Sequence, residues 1–156
     1  MIRSSRDVIH DLIGYGVRFE KDAQGQLKFT REGAHSTPRI LFHEDITGKE
    51  ITSHLLEAVQ ALPNVTIHEH VTMVDIIESR TPVPHCQGII AMAPEGSALA
   101  AEYGSVKTSD GQLLFAMEAP EVVWACGGIG GLYEHSTNFP HLTGDALGIA
   151  IRHHIR

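Results

Sequence analysis

The spacing of apolar side chains predicts a helix over residues 4–14. Val8, Leu12 and Tyr15 fall on one face of that helix, and glycines end the pattern. The segment GVRFEKDAQGQLKFT that follows has short apolar stretches on either side of an Asp-Ala-Gln-Gly turn. It predicts a hairpin of two short strands, and PRILF, residues 38–42, predicts a further short strand.

A second amphipathic helix is predicted from residue 47 onwards. Thr47 and Glu50 have the spacing of a capping box, in which each side chain accepts a hydrogen bond from a free backbone N–H. The apolar face of this helix consists of Ile51, Leu55, Val59 and Leu62. The segment VTIHEHV, residues 65–71, comes next and predicts a strand, and a helix followed by a strand is typical of α/β proteins.

The second half of the chain predicts mainly strands. VTMVDII, QGIIAMA, AEYGSVKT and QLLFAME are separated by turn-rich breaks and indicate an antiparallel β-meander. EVVWACGGIGG is a continuous apolar run that ends in glycines, which favours a buried parallel strand. TGDALGIAIRHHI predicts a helix that begins at Asp145. The expected fold class is mixed α/β, with one domain over residues 1–156.

Composition excludes some classes of function. The chain of 156 residues is 42% hydrophobic and 20% charged, as globular proteins are. Its net charge of -7 and its scattered Lys and Arg argue against a nucleic-acid partner. No apolar run approaches the roughly 18 residues that span a bilayer, and no signal peptide is visible, so a cytoplasmic location follows by default. The 11 histidines have no metal-site spacing, and Cys86 and Cys126 are expected to be buried free thiols.

Three motifs each allow a structural and a functional interpretation. TREGAHS, residues 30–36, is either a charged surface turn or part of a site. CGGIGG, residues 126–131, is either a tight turn or a place where the backbone approaches a cofactor. TGD, residues 143–145, is either a helix cap or a partner of a cofactor. The residue types alone do not choose between these alternatives.

The order of these motifs resembles the L-aspartate oxidases, which belong to the succinate dehydrogenase and fumarate reductase family of flavoproteins. The resemblance runs from TREGAHSTPRILFHEDITGKEI through PNVTIHEHVTMVDII to VVWACGGIGGLYEHSTNFPHLTGDALGIA. It implies part of a Rossmann-like FAD-binding domain and the FAD-dependent oxidation of L-aspartate to iminoaspartate. Oxygen or fumarate would reoxidise the flavin, and quinolinate synthase would use the product in NAD biosynthesis.

The resemblance also implies roles for individual residues. Glu32 matches the glutamate that orients aspartate through its amino group, which is sensible because a dicarboxylate site needs an anion to recognise an ammonium. Arg31 supports the same loop. The positions matched to FAD contacts or to the surroundings of the flavin are His35, Ser36, Val71, Gly127, Gly128 and Asp145.

The sequence departs from the family pattern in ways that limit what this chain does alone. Nothing in it matches the family's G-x-G-x-x-G unit or the capping domain that carries the catalytic arginine, so no catalytic residue is assigned here. Both chain ends lie in helix-like sequence, and we expect a segment of a longer protein. The isolated chain is expected to bind FAD weakly or not at all, to be inactive, and to self-associate through uncovered apolar edges.

Two other functions remain open from the sequence. One is that of another fumarate reductase or succinate dehydrogenase type of flavoprotein, which would share the CGGIGG and TGD motifs without needing Glu32. The other is a binding module without redox chemistry.

Overall fold

The structure is a computed structural model that describes residues 2–155, without the side chain of Ile2. Its contacts divide the chain into two compact units, Met1–Ile67 and His68–Arg156, which are described one after the other. The single domain over residues 1–156 stays a prediction.

The first unit contains two helices and a small sheet. α1 is Ser5–Gly14, β1 is Phe29–Thr30, β2 is Ile40–Leu41 and α2 is Thr47–Gln60, and a 3-10 turn over Ile2–Ser4 precedes α1. β1 and β2 are antiparallel, with Phe29 opposite Leu41. These elements confirm the predicted first helix and the strand within PRILF.

The predicted hairpin after α1 is reduced to a turn with a single bridge. Lys21 and Leu27 form that antiparallel bridge, and the carboxylate of Asp22 accepts hydrogen bonds from the N–H groups of Gln24 and Gln26 at 2.9 and 2.8 Å. The unit's buried apolar side chains include Val17 and Phe19 just before this turn, so the turn is anchored on the core.

α2 forms where its apolar spacing predicts it, but the capping box is wrong. The residue before the helix is Ile46, and no side chain caps the first turn. The hydroxyl of Thr47 instead accepts a hydrogen bond from the N–H of His43 at 3.0 Å. Glu50 does not reach back to the helix start, because its carboxylate accepts hydrogen bonds from Arg18.

The second unit is built on a four-stranded antiparallel sheet. Its strands are β3 (Thr72–Ser79), β4 (His85–Ala93), β5 (Val106–Lys107) and β6 (Leu113–Glu118), in the spatial order β3-β4-β6-β5. Two helices, α3 (Ala98–Glu102) and α4 (Asp145–Arg152), and a 3-10 turn (Gly130–Leu132) complete it. The core packs Ala91, Ala93, Leu99, Ala100 and Phe115 together.

The predicted meander is correct in its long strands and wrong between them. The segment AEYGSVKT contains the end of α3 and only a two-residue strand, because Ser97 caps a short helix by accepting the Ala100 N–H at 3.4 Å. β4 pairs directly with β6, and β5 lies at the edge of the sheet beside β6 instead of between them.

Two apolar runs that predict strands form no strand in the structure. A strand needs a neighbour for its backbone N–H and C=O groups, and within residues 2–155 no segment forms a ladder with residues 65–71 or 121–126. Val123 is 89% exposed as a result. The buried parallel strand predicted for EVVWACGGIGG is therefore wrong for this structure.

Residues 2–155 contain no candidate membrane span, no candidate metal site and no disulfide. In that range no helix is long and apolar enough to cross a bilayer, and no group of three or more His, Cys, Asp or Glu side chains is arranged to hold a metal ion. Both cysteines are free thiols; Cys86 is half-buried, while Cys126 is exposed, which corrects the expectation that it is buried.

Candidate functional site

The TREGAHS motif forms the loop between β1 and β2. The Arg39 N–H donates to the Thr30 carbonyl at 3.0 Å and closes this loop at its base. Within it the His35 N–H donates to the Glu32 carbonyl at 3.2 Å, and Ala34 lies in the left-handed region with a φ of 66°. The structure therefore brings together the four predicted residues of the first unit on one short loop: Arg31, Glu32, His35 and Ser36.

The loop presents its charges to solvent and holds one ring inward. Arg31, Glu32 and Ser36 are exposed, whereas His35 is half-buried. The Nδ1 atom of His35 is inaccessible to solvent and has no hydrogen-bond partner among the described residues. A buried polar atom without a partner costs about 1–3 kcal/mol, so this position favours a ligand that supplies one.

The first unit is held together around a buried carboxylate that sequence patterns do not reveal. Glu50 is 8% exposed, and its Oε1 accepts hydrogen bonds from the backbone N–H and from Nε of Arg18, both at 3.1 Å. The ring of His54 lies 3.2 Å from the same oxygen, and that of His43 lies 3.8 Å from Oε2. The hydrogen bond from Arg18 is the main cause that lowers the pKa of Glu50 to about 2, against burial, which raises it.

The glycines of CGGIGG serve mainly to pack one backbone segment on another. A methyl group at Gly131 would lie 2.4 Å from the Pro140 carbonyl oxygen, and one at Gly130 would lie 2.4 Å from the Asn138 side chain. Gly127 has a φ of 78°, which only glycine adopts easily. The structural interpretation of the motif therefore applies to these three glycines.

Gly128 is the exception within the same motif. It is exposed, and a methyl group added to it would meet no atom within 4 Å. Its backbone is therefore open to a ligand, whereas its neighbours are committed to packing. The two interpretations of CGGIGG thus apply to different glycines.

The TGD motif lies at the start of α4. Gly144 precedes the helix with a φ of 72°, and the Thr143 hydroxyl donates to Asp145 Oδ2 at 3.0 Å. The Asp145 carboxylate does not cap the first turn through a hydrogen bond, since no side-chain cap is present there. It remains exposed, with one oxygen free of described hydrogen bonds.

A cleft of about 430 Å³ lies beside Asp145. One wall is the start of β3 with Thr72, and the other is α4 with Gly148 and Arg152. Val71 immediately precedes the first wall and packs against the core of the unit. Asp145 therefore lines this cleft, whereas Val71 only adjoins it in sequence.

CGGIGG and TGD are also in direct contact with each other. The Gly131 N–H donates to the Leu142 carbonyl at 2.9 Å. A methyl group at Gly144 would lie 2.3 Å from Cγ2 of Ile129, so the two motifs pack without room for a side chain. The predicted residues of the second unit thus belong to one connected region.

Comparison with known proteins assigns a cofactor class to this arrangement. A family model described as FAD binding domain matches residues 1–156. The L-aspartate oxidase of Clostridium perfringens is 41% identical over 155 residues, covering 99% of this chain and 30% of that protein. That of Clostridium acetobutylicum is 33% identical over 151 residues, covering 97% of this chain and again 30% of the relative. The chain thus spans under a third of the length of these curated relatives.

Solved structures show the same fold at lower identity. E. coli quinol fumarate reductase superposes with a TM-score of 0.78 at 23% identity, over 97% of this chain and 23% of that chain. Mycobacterium smegmatis Sdh1 superposes with a TM-score of 0.70 at 24% identity, over 96% of this chain and 24% of that chain. These similarities confirm the expected mixed α/β fold of a flavoprotein FAD-binding domain.

Taken unit by unit, the residues present are compatible with contacts to FAD. In the second unit the open backbone at Gly128 suits close approach of a phosphate or sugar, and the free carboxylate oxygen of Asp145 suits a hydroxyl donor. In the first unit the unpartnered Nδ1 of His35 suits a polar ring edge. Sequence patterns find these positions only through the resemblance, because no single motif distinguishes Gly128 from its neighbours.

Proposed function

This chain belongs to the FAD binding domain family, and we propose that it is a segment of an L-aspartate oxidase. The observation that carries the proposal is the 41% identity over 99% of the chain with an L-aspartate oxidase. The exposed carboxylate of Glu32, on the loop that also holds the unpartnered ring of His35, supports it.

We infer that the second unit holds part of the FAD. Gly128 offers an open backbone and Asp145 a free carboxylate oxygen, while Val71 directly precedes Thr72, which lines the cleft beside Asp145. Gly127 supports this contact by fixing the turn before Gly128. When bound, FAD would accept the two electrons that leave the amino acid on oxidation.

Glu32 would recognise the substrate by charge. L-aspartate differs from succinate by an ammonium group, and an anionic side chain that pairs with this group distinguishes the two dicarboxylates. Arg31 and Ser36 flank it on the same loop, and Arg31 would support the loop by its charge. His35 would lie near the flavin ring, where its Nδ1 gains a hydrogen-bond partner.

The proposed reaction is the oxidation of L-aspartate to iminoaspartate, with oxygen or fumarate as the electron acceptor. The product would serve quinolinate synthase in pyridine nucleotide biosynthesis, and we place the enzyme in the cytoplasm. In the isolated chain, exposed apolar side chains such as Val123 and Phe139, 89% and 70% exposed, would promote self-association.

The decisive experiment changes Glu32 in the full-length protein. Glu32→Gln keeps the shape of the side chain and removes its charge. We expect kcat/KM for aspartate oxidation to fall about 100-fold, the scale of a buried charge-assisted contact to substrate, while fumarate reduction by the reduced flavin changes little. Glu102→Gln, on an exposed helix position of the other unit, serves as the control and should alter neither rate.

The same variant tests the second candidate, another flavoprotein of the fumarate reductase type, which the superposition on quinol fumarate reductase favours at the level of fold. An equal loss of both activities in Glu32→Gln would favour that candidate. Full aspartate oxidation by the variant would overturn the assigned role of Glu32.

A further inference from the structure

The C-terminal end of α4 is attached to β3 through one histidine. His153 follows α4 directly, and its Nε2 lies 2.8 Å from Oδ1 of Asp75, while its Nδ1 lies 3.2 Å from Oε2 of Glu78. An ionised carboxylate only accepts hydrogen bonds, so both contacts are hydrogen bonds only when both ring nitrogens carry a proton. The arrangement therefore requires His153 as an imidazolium.

Arg152 adds a second link at the same place. Its NH2 group donates to the Val74 carbonyl at 3.3 Å and lies 3.6 Å from Oδ2 of Asp75. Arg152 is half-exposed, whereas the side chain of His153 is 20% exposed and sits between the two carboxylates. The histidine is thus the better shielded of the two cations that attach α4.

The surroundings of His153 favour its charged form. Hydrogen bonds to Glu78 and then to Asp75 raise the pKa of His153 above its ordinary value, although burial opposes this. Burial raises the pKa of Asp75, but the Ile76 N–H, His153 and Arg152 together bring it below its ordinary value. The other charged or titratable groups around this attachment are Arg80, which lies 3.8 Å from Glu78, and His85, Cys86 and His154, which line the adjoining cavity.

The attachment lies at the opposite end of α4 from the candidate cofactor contact. α4 has eight residues and begins at Asp145, so it is about 12 Å long and moves as one rigid rod. α4, from Asp145 to Arg152, forms one wall of the cleft whose other wall is the beginning of β3. Loss of the His153 contacts leaves Arg152 and the buried Ile149 to hold α4, and we expect the less firmly held helix to tilt and displace Asp145.

We propose that His153 is a positioning residue for FAD: its imidazolium, held by Asp75 and Glu78, fixes α4 on β3 and so keeps Asp145 in place for the cofactor. The proposal rests on the proposed function only in so far as FAD occupies this cleft. It does not depend on which substrate the intact enzyme oxidises.

The attachment of α4 depends on pH, because it requires the protonated form of His153. The pKa of His153 in the folded chain lies above the ordinary value of 6.5. The attachment is therefore complete below pH 6.5 and is lost as the pH rises through the raised pKa. FAD should bind less tightly in the deprotonated state, since part of the binding free energy is then spent on returning α4 to β3.

The test compares three variants of the full-length protein. His153→Gln removes the charge, His153→Lys keeps a cation over the whole pH range, and His154→Gln makes the same change at an exposed neighbour whose side chain has no bond within residues 2–155. The dissociation constant of FAD is measured by flavin fluorescence from about pH 6 to about pH 9, a range that brackets histidine titration. Hydrogen exchange of the α4 amides is measured over the same range.

The expected pattern distinguishes positioning from a general loss of structure. Wild type and His154→Gln should lose about tenfold in FAD affinity across the range, the scale of one charge-assisted hydrogen bond. His153→Gln should be weak at every pH, and His153→Lys should restore tighter binding without the pH dependence. Exchange of the α4 amides, corrected for intrinsic rates, should follow the same order.

Three other outcomes would contradict the role of His153, the proposed function, or both. An FAD affinity in His153→Gln equal to that of wild type, with the same pH profile, would overturn the proposal. Full-length protein that holds FAD but does not oxidise aspartate would contradict the proposed function and leave the role of His153 supported. Protein that holds no FAD at any pH would overturn both, while the exchange data would still decide whether His153 attaches α4.

Discussion

Glu50 Oε1 accepts two hydrogen bonds from a single residue, Arg18, through its backbone N–H and its Nε–H at 3.1 Å each. The two residues are 32 positions apart, so this contact joins the segment after α1 to the first turn of α2. The carboxylate also lies 3.8 Å from the ring of His43, in the segment between β2 and α2. It thus links the segment after α1, the start of α2 and the residues just before α2.

We expect the contact between Glu50 and Arg18 to weaken in acid. The pKa of Glu50 is lowered from 4.5 to about 2, so its stabilising contribution is complete above about pH 4.5 and is lost as the pH falls toward 2. Glu50→Gln should therefore accelerate hydrogen exchange at the Arg18 amide and along α2 at neutral pH. The acceleration should shrink as the pH falls below about 4.5, because the open state of the wild type binds a proton there while the folded state keeps its charge down to about pH 2.

Glu57→Gln is the matched control for Glu50→Gln. Glu57 lies on the same helix, but its side chain is 72% exposed, and its carboxylate lies 3.6 Å from the ring of His54. We expect little change in α2 exchange in this variant. Equal acceleration in both variants would show that helix charge, rather than the bond to Arg18, protects α2.

Replacement by alanine should have different effects at two glycines of the CGGIGG motif. At Gly131 the added methyl group would lie 2.4 Å from the Pro140 carbonyl oxygen, and backbone cannot move aside cheaply. Gly131→Ala should lower the free energy of unfolding by about 1–3 kcal/mol, as overpacking does. At Gly128 the methyl group meets nothing, so Gly128→Ala should leave unfolding unchanged but weaken FAD binding in the full-length protein. Denaturation curves and flavin fluorescence measure the two effects separately.

Replacement of His35 should separate stability from cofactor affinity. His35→Phe keeps an aromatic ring and removes the unpartnered buried Nδ1. The flavin-free protein should be as stable as wild type or slightly more stable, because no buried polar atom is then left without a partner. FAD affinity should fall by about fivefold to tenfold, since a hydrogen bond to the cofactor is lost. His10→Phe, at an exposed position of α1, should change neither quantity, and a fall in flavin-free stability at His35 would contradict this account.

The isolated 156-residue chain should not retain FAD through purification. A dinucleotide site requires groups that converge from several segments, and the chain spans only 30% of its L-aspartate oxidase relatives. The ratio of flavin absorbance to protein absorbance measures retention, and the full-length protein prepared in parallel is the reference. A stoichiometric flavin content in the isolated chain would contradict the prediction.

Local patterns predict the elements that depend on local interactions. α2 and α4 form where apolar spacing and the TGD motif predict them, and the long strands β3, β4 and β6 form where apolar runs predict them. The residues 65–71 and 121–126 have strand-like sequences as well, but a strand also requires a partner, and sequence pattern says nothing of the partner. Their failure to pair within residues 2–155 is a matter of tertiary context rather than propensity.

The contacts of the charged residues Glu50 and His153 cannot be predicted from sequence patterns, because their partners are remote in sequence. Thr47 and Glu50 have the spacing of a capping box, yet Glu50 binds Arg18, which is remote in sequence. His153 looks like an ordinary residue at a helix end, and its partner Asp75 is 78 positions away. The roles expected of Glu32 and Asp145 come from the resemblance, whereas the contacts of Glu50 and His153 are visible only in the structure.

The contact between Ile129 and Gly144 has a consequence for how this region tolerates change. A methyl group at Gly144 would lie 2.3 Å from Ile129, and the φ of 72° at Gly144 strains any side chain, so a larger residue at 144 would be costly even beside a smaller one at 129. The intervening residues 133–137 are exposed and carry none of this packing, so insertions are tolerated there more readily. Residues 127–131 and 142–145 therefore depend on each other for packing. In engineered chimeras of this family the two segments should be exchanged together, whereas the length of the exposed stretch between them can vary.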